Sequence, residues 1–313
     1  MNNFKKIGLS ALAGSLVAFS VNAGEMTVAG SAGMTLGQVD ETAAAGFAQS
    51  DSLTFTGSGE TDGGLNVSVS FEIDGDDAGF DDRSFSVGND SIGTFAFHGS
   101  GGSSVVGGWD DLTPSAYEEV WTGTTGAADD VVNGVSGTNL IRYDSPSISG
   151  VTVAVAYQDA EQDTTASTYT DFGIQIKPEM VEGLTLGYAE GSYDTTAILS
   201  TDESTMYALY TMGAVSVGYQ ASEIDAGTAA TTDETVSMSI SYAVSDDISI
   251  SYGTHTVDFG DVGTDQESSG FSASYTTGGM TIAAYMNSAD NVAGSTLATA
   301  DRESYELSLS FAF

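Results

Sequence analysis

The chain has 313 residues, of which 44 are Asp or Glu and only 6 are Lys or Arg, so its formal charge is −38. The absence of cysteine excludes disulfide frameworks and thiolate metal sites, and the scarcity of basic residues excludes the phosphate contacts that nucleic-acid binding needs. With 41% hydrophobic residues, including 14 Phe and 14 Tyr, the chain is too apolar to be wholly disordered.

The first 23 residues have the composition of a secretory signal peptide. Lys5 and Lys6 are followed by a short apolar run, and Val21-Asn22-Ala23 fits a small-residue cleavage site. A membrane anchor is the weaker interpretation, because a spanning helix needs about 20 apolar residues. We therefore expect cleavage after residue 23 and a single domain over residues 24–313. The basic side chains that remain are Arg83, Arg142, Lys177 and Arg302.

Beyond residue 23, large apolar side chains recur at every second position. In Val151–Gln158, for example, Val and Tyr alternate with Thr and Ala, which predicts strands with one apolar and one small or polar face. Soluble β-sandwiches and membrane barrels share this alternation. The predicted strands are Glu25–Leu36, Ser52–Thr56, Leu65–Ile73, Arg83–Gly88, Thr94–His98, Asn139–Ser145, Val151–Gln158, Tyr169–Lys177, Leu184–Ser192, Thr205–Met212, Ala214–Ala221, Thr235–Val244, Ile248–Val257, Ser269–Thr277, Met280–Ser288 and Arg302–Phe313.

The breaks between these strands decide between the two architectures. Short turns such as Asn89–Gly93 and Gly278–Gly279 alternate with long acidic connections such as Asp159–Thr168 and Ala289–Asp301. This alternation, with an even strand number, is typical of bacterial outer-membrane barrels. A closed sheet also pairs every backbone N–H and C=O inside a bilayer. We therefore predict an all-β fold, a closed antiparallel transmembrane β-barrel of about 16 strands with an open lumen.

The connection after the third predicted strand is dense in carboxylates. Such hard oxygen ligands suit calcium, but the pattern does not match an EF-hand loop, so a merely solvated acidic loop is the favoured interpretation. We expect no cofactor. The candidate calcium ligands would be Asp74, Asp76, Asp77, Asp81 and Asp82.

Two segments carry a family resemblance. Gly93–Gly99 is similar to a strand that leads into the third loop of Gram-negative general porins, and Asn139–Gly150 is similar to a strand-and-turn motif of their alphaproteobacterial-type members. The whole mature chain resembles such a porin. The resemblance implies a homotrimer in the outer membrane, in contact with its lipid and lipopolysaccharide, through which small hydrophilic solutes diffuse passively. It also implies a third loop that folds into the barrel and forms the constriction.

The connection from Gly99 to Thr138 is far longer than a usual loop. It contains Trp109 and Trp121, which favours packing against the inner wall over an extracellular lid, the alternative. The stretch Thr113–Glu118 predicts one short helix, because it combines a Pro with a Ser-x-x-Glu capping pattern. The acidic residues that would charge the constriction are Asp110, Asp111, Glu118, Glu119, Asp129 and Asp130.

Strand parity places the few basic side chains. Arg142 shares the inward face next to the long connection, and Lys177 and Arg302 have inward parity near strand ends. Arg83 would lie at the outer rim of the lipid face. The resembling porins oppose an acidic third loop with several inward arginines, whereas this chain offers one good candidate, Arg142.

The two mature histidines do not indicate catalysis. His98 has inward parity beside the long connection and His255 lies near a strand end, and neither has a partner at metal-ligand or catalytic spacing. We therefore expect polar lumen groups and no enzyme. This inward parity also argues against a third hypothesis, a barrel enzyme such as an outer-membrane lipase.

The last predicted strand ends the chain with alternating apolar side chains. Aromatic residues at both ends and Leu between them fit two interfacial girdles, and the pattern resembles the terminal insertion signal of Gram-negative outer-membrane proteins. An ordinary buried strand is the alternative. The residues on this face are Tyr305, Leu307, Leu309, Phe311 and Phe313.

The charge balance predicts the selectivity of such a channel. A pore with acidic walls and loops concentrates cations at its mouth, so we expect a cation-preferring outer-membrane porin. The alternative from another class is a secreted acidic adhesin or surface-layer β-protein.

Overall fold

The computed structural model describes residues 24–39, 44–75, 80–128, 132–159, 168–194, 200–225, 232–260 and 263–313, so the predicted signal peptide lies outside the described residues. Within these ranges, no helix is both long enough and apolar enough to cross a membrane. The strands are β1 (Glu25–Val39), β2 (Gly46–Glu60), β3 (Asn66–Asp74), β4 (Arg83–Asn89), β5 (Gly93–Ser100), β6 (Gly102–Ser103), β7 (Ser136–Gly137), β8 (Leu140–Asp144), β9 (Val151–Gln158), β10 (Thr168–Ile176), β11 (Leu184–Asp194), β12 (Ser200–Met212), β13 (Val215–Asp225), β14 (Thr232–Ala243), β15 (Ile248–Asp258), β16 (Gln266–Thr277), β17 (Met280–Asp290) and β18 (Arg302–Ala312).

In the described part of the chain, all strands except β6 and β7 form one closed antiparallel barrel of 16 strands. Consecutive strands are neighbours, but β5 pairs with β8 across the connection 101–139, which we call the third loop. Within this loop, β6 and β7 form a short separate ribbon. The predicted fold class is confirmed.

The barrel closes between the two ends of the domain. β1 pairs with β18 in a register that places Met34 opposite Leu309. The terminal residue takes part, because Phe313 N donates to Gly30 O at 2.9 Å and Gly30 N donates to Phe313 O at 2.7 Å. Closure leaves no free sheet edge, as a membrane-spanning sheet requires.

The two faces of the barrel follow the predicted alternation. On β9, Val153 and Val155 are 42% and 43% exposed, whereas Ala154 and Ala156 are buried. Across the other strands of the barrel, the outward face carries exposed Ile, Leu, Met, Phe and Tyr side chains, while many inward positions hold Ser, Thr and Gly. An apolar belt of this extent suits lipid rather than water.

Several strands extend beyond their predicted ends. β2 has 15 residues where only Ser52–Thr56 was predicted, and β12 begins at Ser200 rather than Thr205. The added residues are mostly polar on both faces, so they lack the apolar alternation that marks the lipid belt. Their backbone ladder nevertheless continues, as in the pairing of Gly37 with Gly46.

The connections alternate in length as predicted. The turns at 213–214 and 278–279 are two residues long, and Gly213 and Gly278 adopt φ values of 62° and 58°, which glycine accepts without strain. The opposite end of the barrel carries the longer connections, among them 291–301 and the third loop.

Candidate pore constriction

Trp109 and Leu112 in the first part of the third loop contact the barrel wall at β10, β12 and β13. The ring of Trp109 lies against Gly173, where a Cβ atom would come within 2.6 Å of it, and crosses the Tyr207 ring edge-on at 5.5 Å. Gln220 on β13 accepts a hydrogen bond from Leu112 N at 2.7 Å. Its amide group donates to the carbonyl oxygens of Trp109 and Asp110. These wall residues belong to the buried face of their strands.

The next stretch of the third loop is held by wall hydroxyls and is not helical, so the predicted helix over Thr113–Glu118 is wrong. Ser251 accepts from Ala116 N at 2.9 Å and Ser272 accepts from Tyr117 N at 3.1 Å. Ser239 donates to the carbonyl of Pro114 at 2.7 Å. The wall therefore takes the backbone groups that a helix would have paired internally.

The far part of the third loop contacts β16, β17 and β18. Asn287 donates to the carbonyls of Glu119 and Thr122 at 2.9 and 3.0 Å, and Ser304 also donates to Thr122 O. Gln266 both accepts from Ala128 N and donates to Ala128 O. The loop thus follows the inner wall along every strand from β13 to β18.

On the other side of the barrel, at β1 to β4, mainly small polar side chains line the inner wall. The inward positions of β1 to β4 hold mainly Ser, Thr and Gly, with several carboxylates, and no basic side chain occurs among those that the structure describes there. The inward carboxylates are Glu25, Glu60, Glu72 and Asp74.

A cavity of about 640 Å³ lies between the first part of the third loop and the wall of β5 and β8. Of the described side chains that line it, only Arg142 carries a permanent positive charge, and His98 lies beside it. The aspartates that line it are Asp82, Asp110, Asp111 and Asp144.

Arg142 is engaged by groups that the sequence prediction missed. Its Nη2 atom lies 2.9 Å from Asp144 Oδ1 and its Nε atom lies 3.0 Å from Asp144 Oδ2, a two-point ion pair. Its Nη1 atom donates to the carbonyls of Ser103 and Ser104 at 3.2 and 2.9 Å. Asp144 has the same strand parity as Arg142, two residues on, so the sequence did hold a signal for this pair.

Asp82 belongs to the cavity as well as to the acidic connection after β3. Burial, followed by the charges of Glu72, Asp81 and Asp74, raises the pKa of Asp82 above its usual range. The carboxylate lies so close to Gly101 that a Cβ atom there would fall 0.9 Å from Asp82 Oδ1. Of the other candidate calcium ligands, Asp81 is exposed. Asp76 and Asp77 lie outside the described residues.

With this geometry in place, comparison with known proteins is informative. The Gram-negative porin family matches residues 8–291 of the chain. The chain belongs to this family. No curated protein sequence matches it significantly.

Solved structures agree with the fold of this porin at low sequence identity. A refined porin structure is 17% identical with a TM-score of 0.71, covering 92% of this chain and 100% of its own. An anion-selective porin from Comamonas acidovorans is 15% identical, also with a TM-score of 0.71, over 92% and 99%. OmpT of Vibrio cholerae in a trimer form is 12% identical, with a TM-score of 0.69, over 93% and 100%. The family and the fold place the protein in the outer membrane.

Two further predicted loop carboxylates that the structure describes, Glu118 and Glu119, are not among the residues that line the 640 Å³ cavity. Glu118 and Glu119 are half-buried and border a smaller space beside Trp121. Asp129 and Asp130 lie outside the described residues. Of the four predicted loop carboxylates that the structure describes, it brings Asp110 and Asp111 together with Arg142.

Two aromatic side chains of the third loop meet polar wall groups. Tyr117 donates to Glu306 Oε1 at 2.7 Å, and burial raises the pKa of the Tyr117 hydroxyl. The Trp121 ring lies 4.3 Å from the ring of His255, which is buried and hydrogen-bonded to Ser237 Oγ at 2.8 Å. His255 thus contacts the third loop rather than open water.

The other basic side chains lie near strand ends, outside the cavity lining. Lys177 is exposed in the turn after β10, where the strand has already ended. Arg302 has inward parity and donates to the carbonyls of Thr299 and Asp301. Arg83 is exposed on the outward face and donates to Gly99 O at 3.4 Å.

The terminal residues predicted as an insertion signal have outward parity on β18, and the last of them, Phe313, directly follows that strand. Four of the five are between 42% and 59% exposed, and the fifth is half-buried. Their placement in the lipid belt suits the predicted girdles, and their role in insertion stays a prediction. The residues are Tyr305, Leu307, Leu309, Phe311 and Phe313.

Proposed function

We propose that this porin forms a water-filled channel for passive diffusion of ions and small hydrophilic solutes, and that the channel prefers cations. The observation that carries the proposal is the charge of the cavity beside the third loop. Four aspartates line it, and its one arginine is paired with Asp144. The remaining negative potential attracts cations and disfavours anions.

The similarity to an anion-selective porin does not oppose this proposal. That protein is only 15% identical to the chain, and a shared fold does not carry selectivity with it, since selectivity depends on the charges at the constriction. In this chain, the inner faces of β1 to β4, opposite the third loop, offer hydroxyls and carboxylates among their described residues.

We further propose a homotrimer whose apolar belt contacts outer-membrane lipid and whose long connections face outward, toward lipopolysaccharide, with the short turns in the periplasm. The trimer form of OmpT, a protein of the same fold, supports the assembly. The proposed route to the membrane is export with cleavage after residue 23. A secreted adhesin is not supported, because it would leave the apolar belt in water.

Solute release from proteoliposomes tests the function. Vesicles with the purified protein are loaded with cationic, neutral or anionic solutes of matched size, and empty vesicles serve as the control. We expect release of all three classes, fastest for the cation and slowest for the anion. Release no faster than from empty vesicles would refute the channel, and faster release of the anion would refute its proposed selectivity.

A further inference from the structure

The lipid belt contains a groove on the outward face of β14 to β17. Its floor is a pair of small side chains, Ala273 on β16 and Ala284 on β17, which lie directly opposite each other. The same row of the sheet continues with the larger Ile250 on β15 and Leu307 on β18. The groove has a volume of about 540 Å³, and its lining is mainly apolar. The two alanines therefore leave a space between larger neighbours.

Large side chains form the walls of this groove. Phe271 and Met286 occupy the next row toward the longer connections and are 64% and 71% exposed, so they stand out from the barrel surface. Tyr252 packs on Phe271 with the ring centroids 4.6 Å apart. The wall toward β14 is completed by Ile240, Tyr242 and Ile250. A concave apolar surface of this kind contacts a ligand on several sides, which a convex barrel surface does not.

A second cavity, of about 360 Å³, continues the groove toward the longer connections. Its polar lining includes Ser269 and Ser288, whose Oγ atoms lie 3.3 Å apart, and Glu303, which lies opposite Ser288. We call the two cavities together the outward groove. The residues that line both of them are Tyr252, Phe271 and Met286.

Carboxylates follow beyond the hydroxyl groups. Glu267 and Asp290 lie opposite each other one row further toward the longer connections, and both are exposed. Among the described outward positions of β14 to β18 there is no Lys or Arg, since Arg302 has inward parity. Like charges directly opposite each other destabilise a sheet. This end of the outward groove therefore favours a partner with a positive charge.

The spacing of these rows matches the dimensions of a lipid. Outward residues of one strand are about 6.7 Å apart, which is about 5 Å of membrane height once strand tilt is included. The hydroxyl row consequently lies about 5 Å above the row of Phe271 and Met286, and the carboxylate row about 10 Å above it. The head-group region of one leaflet is about 5–8 Å thick. An acyl chain over the alanines thus places its head group among the hydroxyls and carboxylates.

We propose that the outward groove is a binding site for one zwitterionic phospholipid, with an acyl chain over Ala273 and Ala284 and an ammonium group beside the carboxylates. The hydroxyls of Ser269 and Ser288 use one hydrogen between them and keep the other to donate to the lipid phosphate. A lipid that carries only negative charge fits less well, because it would lie against Glu303 without a basic side chain to offset the repulsion. The inference rests on the outer-membrane location of the protein and not on its channel function.

Native mass spectrometry of the purified protein in detergent tests the site. The protein is mixed with equal amounts of phosphatidylethanolamine, phosphatidylglycerol with the same acyl chains, and lipopolysaccharide. We expect one phosphatidylethanolamine to stay bound per subunit, with about fivefold or greater preference over phosphatidylglycerol, from the effect of one charge at a membrane surface.

Two variants separate the chain site from the head-group site. Ala284→Phe fills the floor of the groove and should lower lipid retention by about tenfold or more, the effect of excluding about two methylene groups from apolar contact. Ala208→Phe is the matched control, because Ala208 also faces outward but lies on β12, outside the groove. The combined variant Glu267→Gln, Asp290→Asn and Glu303→Gln should still retain a lipid but should lose the preference for phosphatidylethanolamine.

Each outcome bears on the proposal. Equal loss of lipid in Ala284→Phe and Ala208→Phe would show that lipid binds anywhere on the belt and would overturn the groove. Preference of the unmodified protein for phosphatidylglycerol or lipopolysaccharide, or an unchanged preference in the combined variant, would overturn the zwitterionic head group. If Ala284→Phe does not fold, the combined variant decides, since its three substitutions are at exposed positions. Solute release from proteoliposomes is a separate readout, so failure here leaves the proposed channel in place.

Discussion

The outward position of Val153 gives a quantitative test of the barrel. On β9 the outward apolar run extends from Val151 to Tyr157, six steps of about 3.3 Å. Val153 lies one step from the middle of this run, which is about 2 Å of membrane height once strand tilt is included. Its side chain is 42% exposed, so nothing in the chain would shield a charge placed there.

The perturbation is Val153→Arg, with Thr152→Arg as its matched control. At a lipid-facing position near the midplane, Arg costs about 2–4 kcal/mol, which lowers the ratio of folded to unfolded protein roughly 30-fold to 800-fold. Thr152 has the opposite parity and faces the lumen, where water and carboxylates can solvate the guanidinium. The neighbouring substitution should therefore cost little.

Urea titrations in lipid vesicles, followed by circular dichroism of the β-structure, measure both costs. We expect the midpoint to fall strongly for Val153→Arg and to move little for Thr152→Arg, with equal slopes. Equal loss of stability at the two positions would refute the assignment of Val153 to the lipid face and of Thr152 to the lumen face. A larger loss of stability for Thr152→Arg would show that the inward and outward faces of β9 have been assigned the wrong way round.

Three further predictions concern ion selectivity, and reversal potentials measure each of them. Replacing the four charged loop carboxylates Asp110, Asp111, Glu118 and Glu119 by their amides should reduce cation preference, and no change would show that the loop is outside the permeation path. Asp144→Asn should reduce the cation preference, because it leaves the charge of Arg142 uncompensated. Arg142→Ala should increase the cation preference. Changes in the same direction for both variants would contradict the ion pair. Because burial raises the pKa of Asp82, this carboxyl becomes protonated and neutral earlier as pH falls, so cation preference should begin to decline at a higher pH in the unmodified protein than in Asp82→Asn. If cation preference declines over the same pH range in the unmodified protein and in Asp82→Asn, the charge of Asp82 does not contribute to selectivity.

The strands and their two faces could be predicted from the sequence, because contact with lipid requires an apolar side chain at every second position of a strand. Val153 and Val155 are exposed as their parity predicts. The strand ends were harder to predict, since β2 and β12 continue with polar residues on both faces where the lipid belt has ended. Hydrogen bonding to the neighbouring strand, which the sequence of one strand does not reveal, extends them.

The conformation of the third loop could not be predicted for a related reason. Ser115 and Glu118 fit a capping pattern, but the backbone N–H groups of Ala116 and Tyr117 donate instead to Ser251 and Ser272. Those partners are more than 130 residues away in the chain. The local capping pattern therefore competes with hydrogen bonds to the barrel wall, which form only after the barrel closes.

The charges at the constriction were predicted only in part. Arg142 was placed inward by parity, and it does line the cavity with Asp110 and Asp111. Its partner Asp144 was missed although it has the same parity two residues on.

The most direct test of the account is the reversal potential of the purified protein in a planar bilayer across a potassium chloride gradient. We predict that potassium is more permeable than chloride, and that the preference is greatest in dilute salt. Screening explains the salt dependence, because the Debye length is about 10 Å at 0.1 M and about 3 Å at 1 M. Preference for chloride, or a reversal potential near zero at every salt concentration, would contradict the proposed role of the acidic cavity beside the third loop.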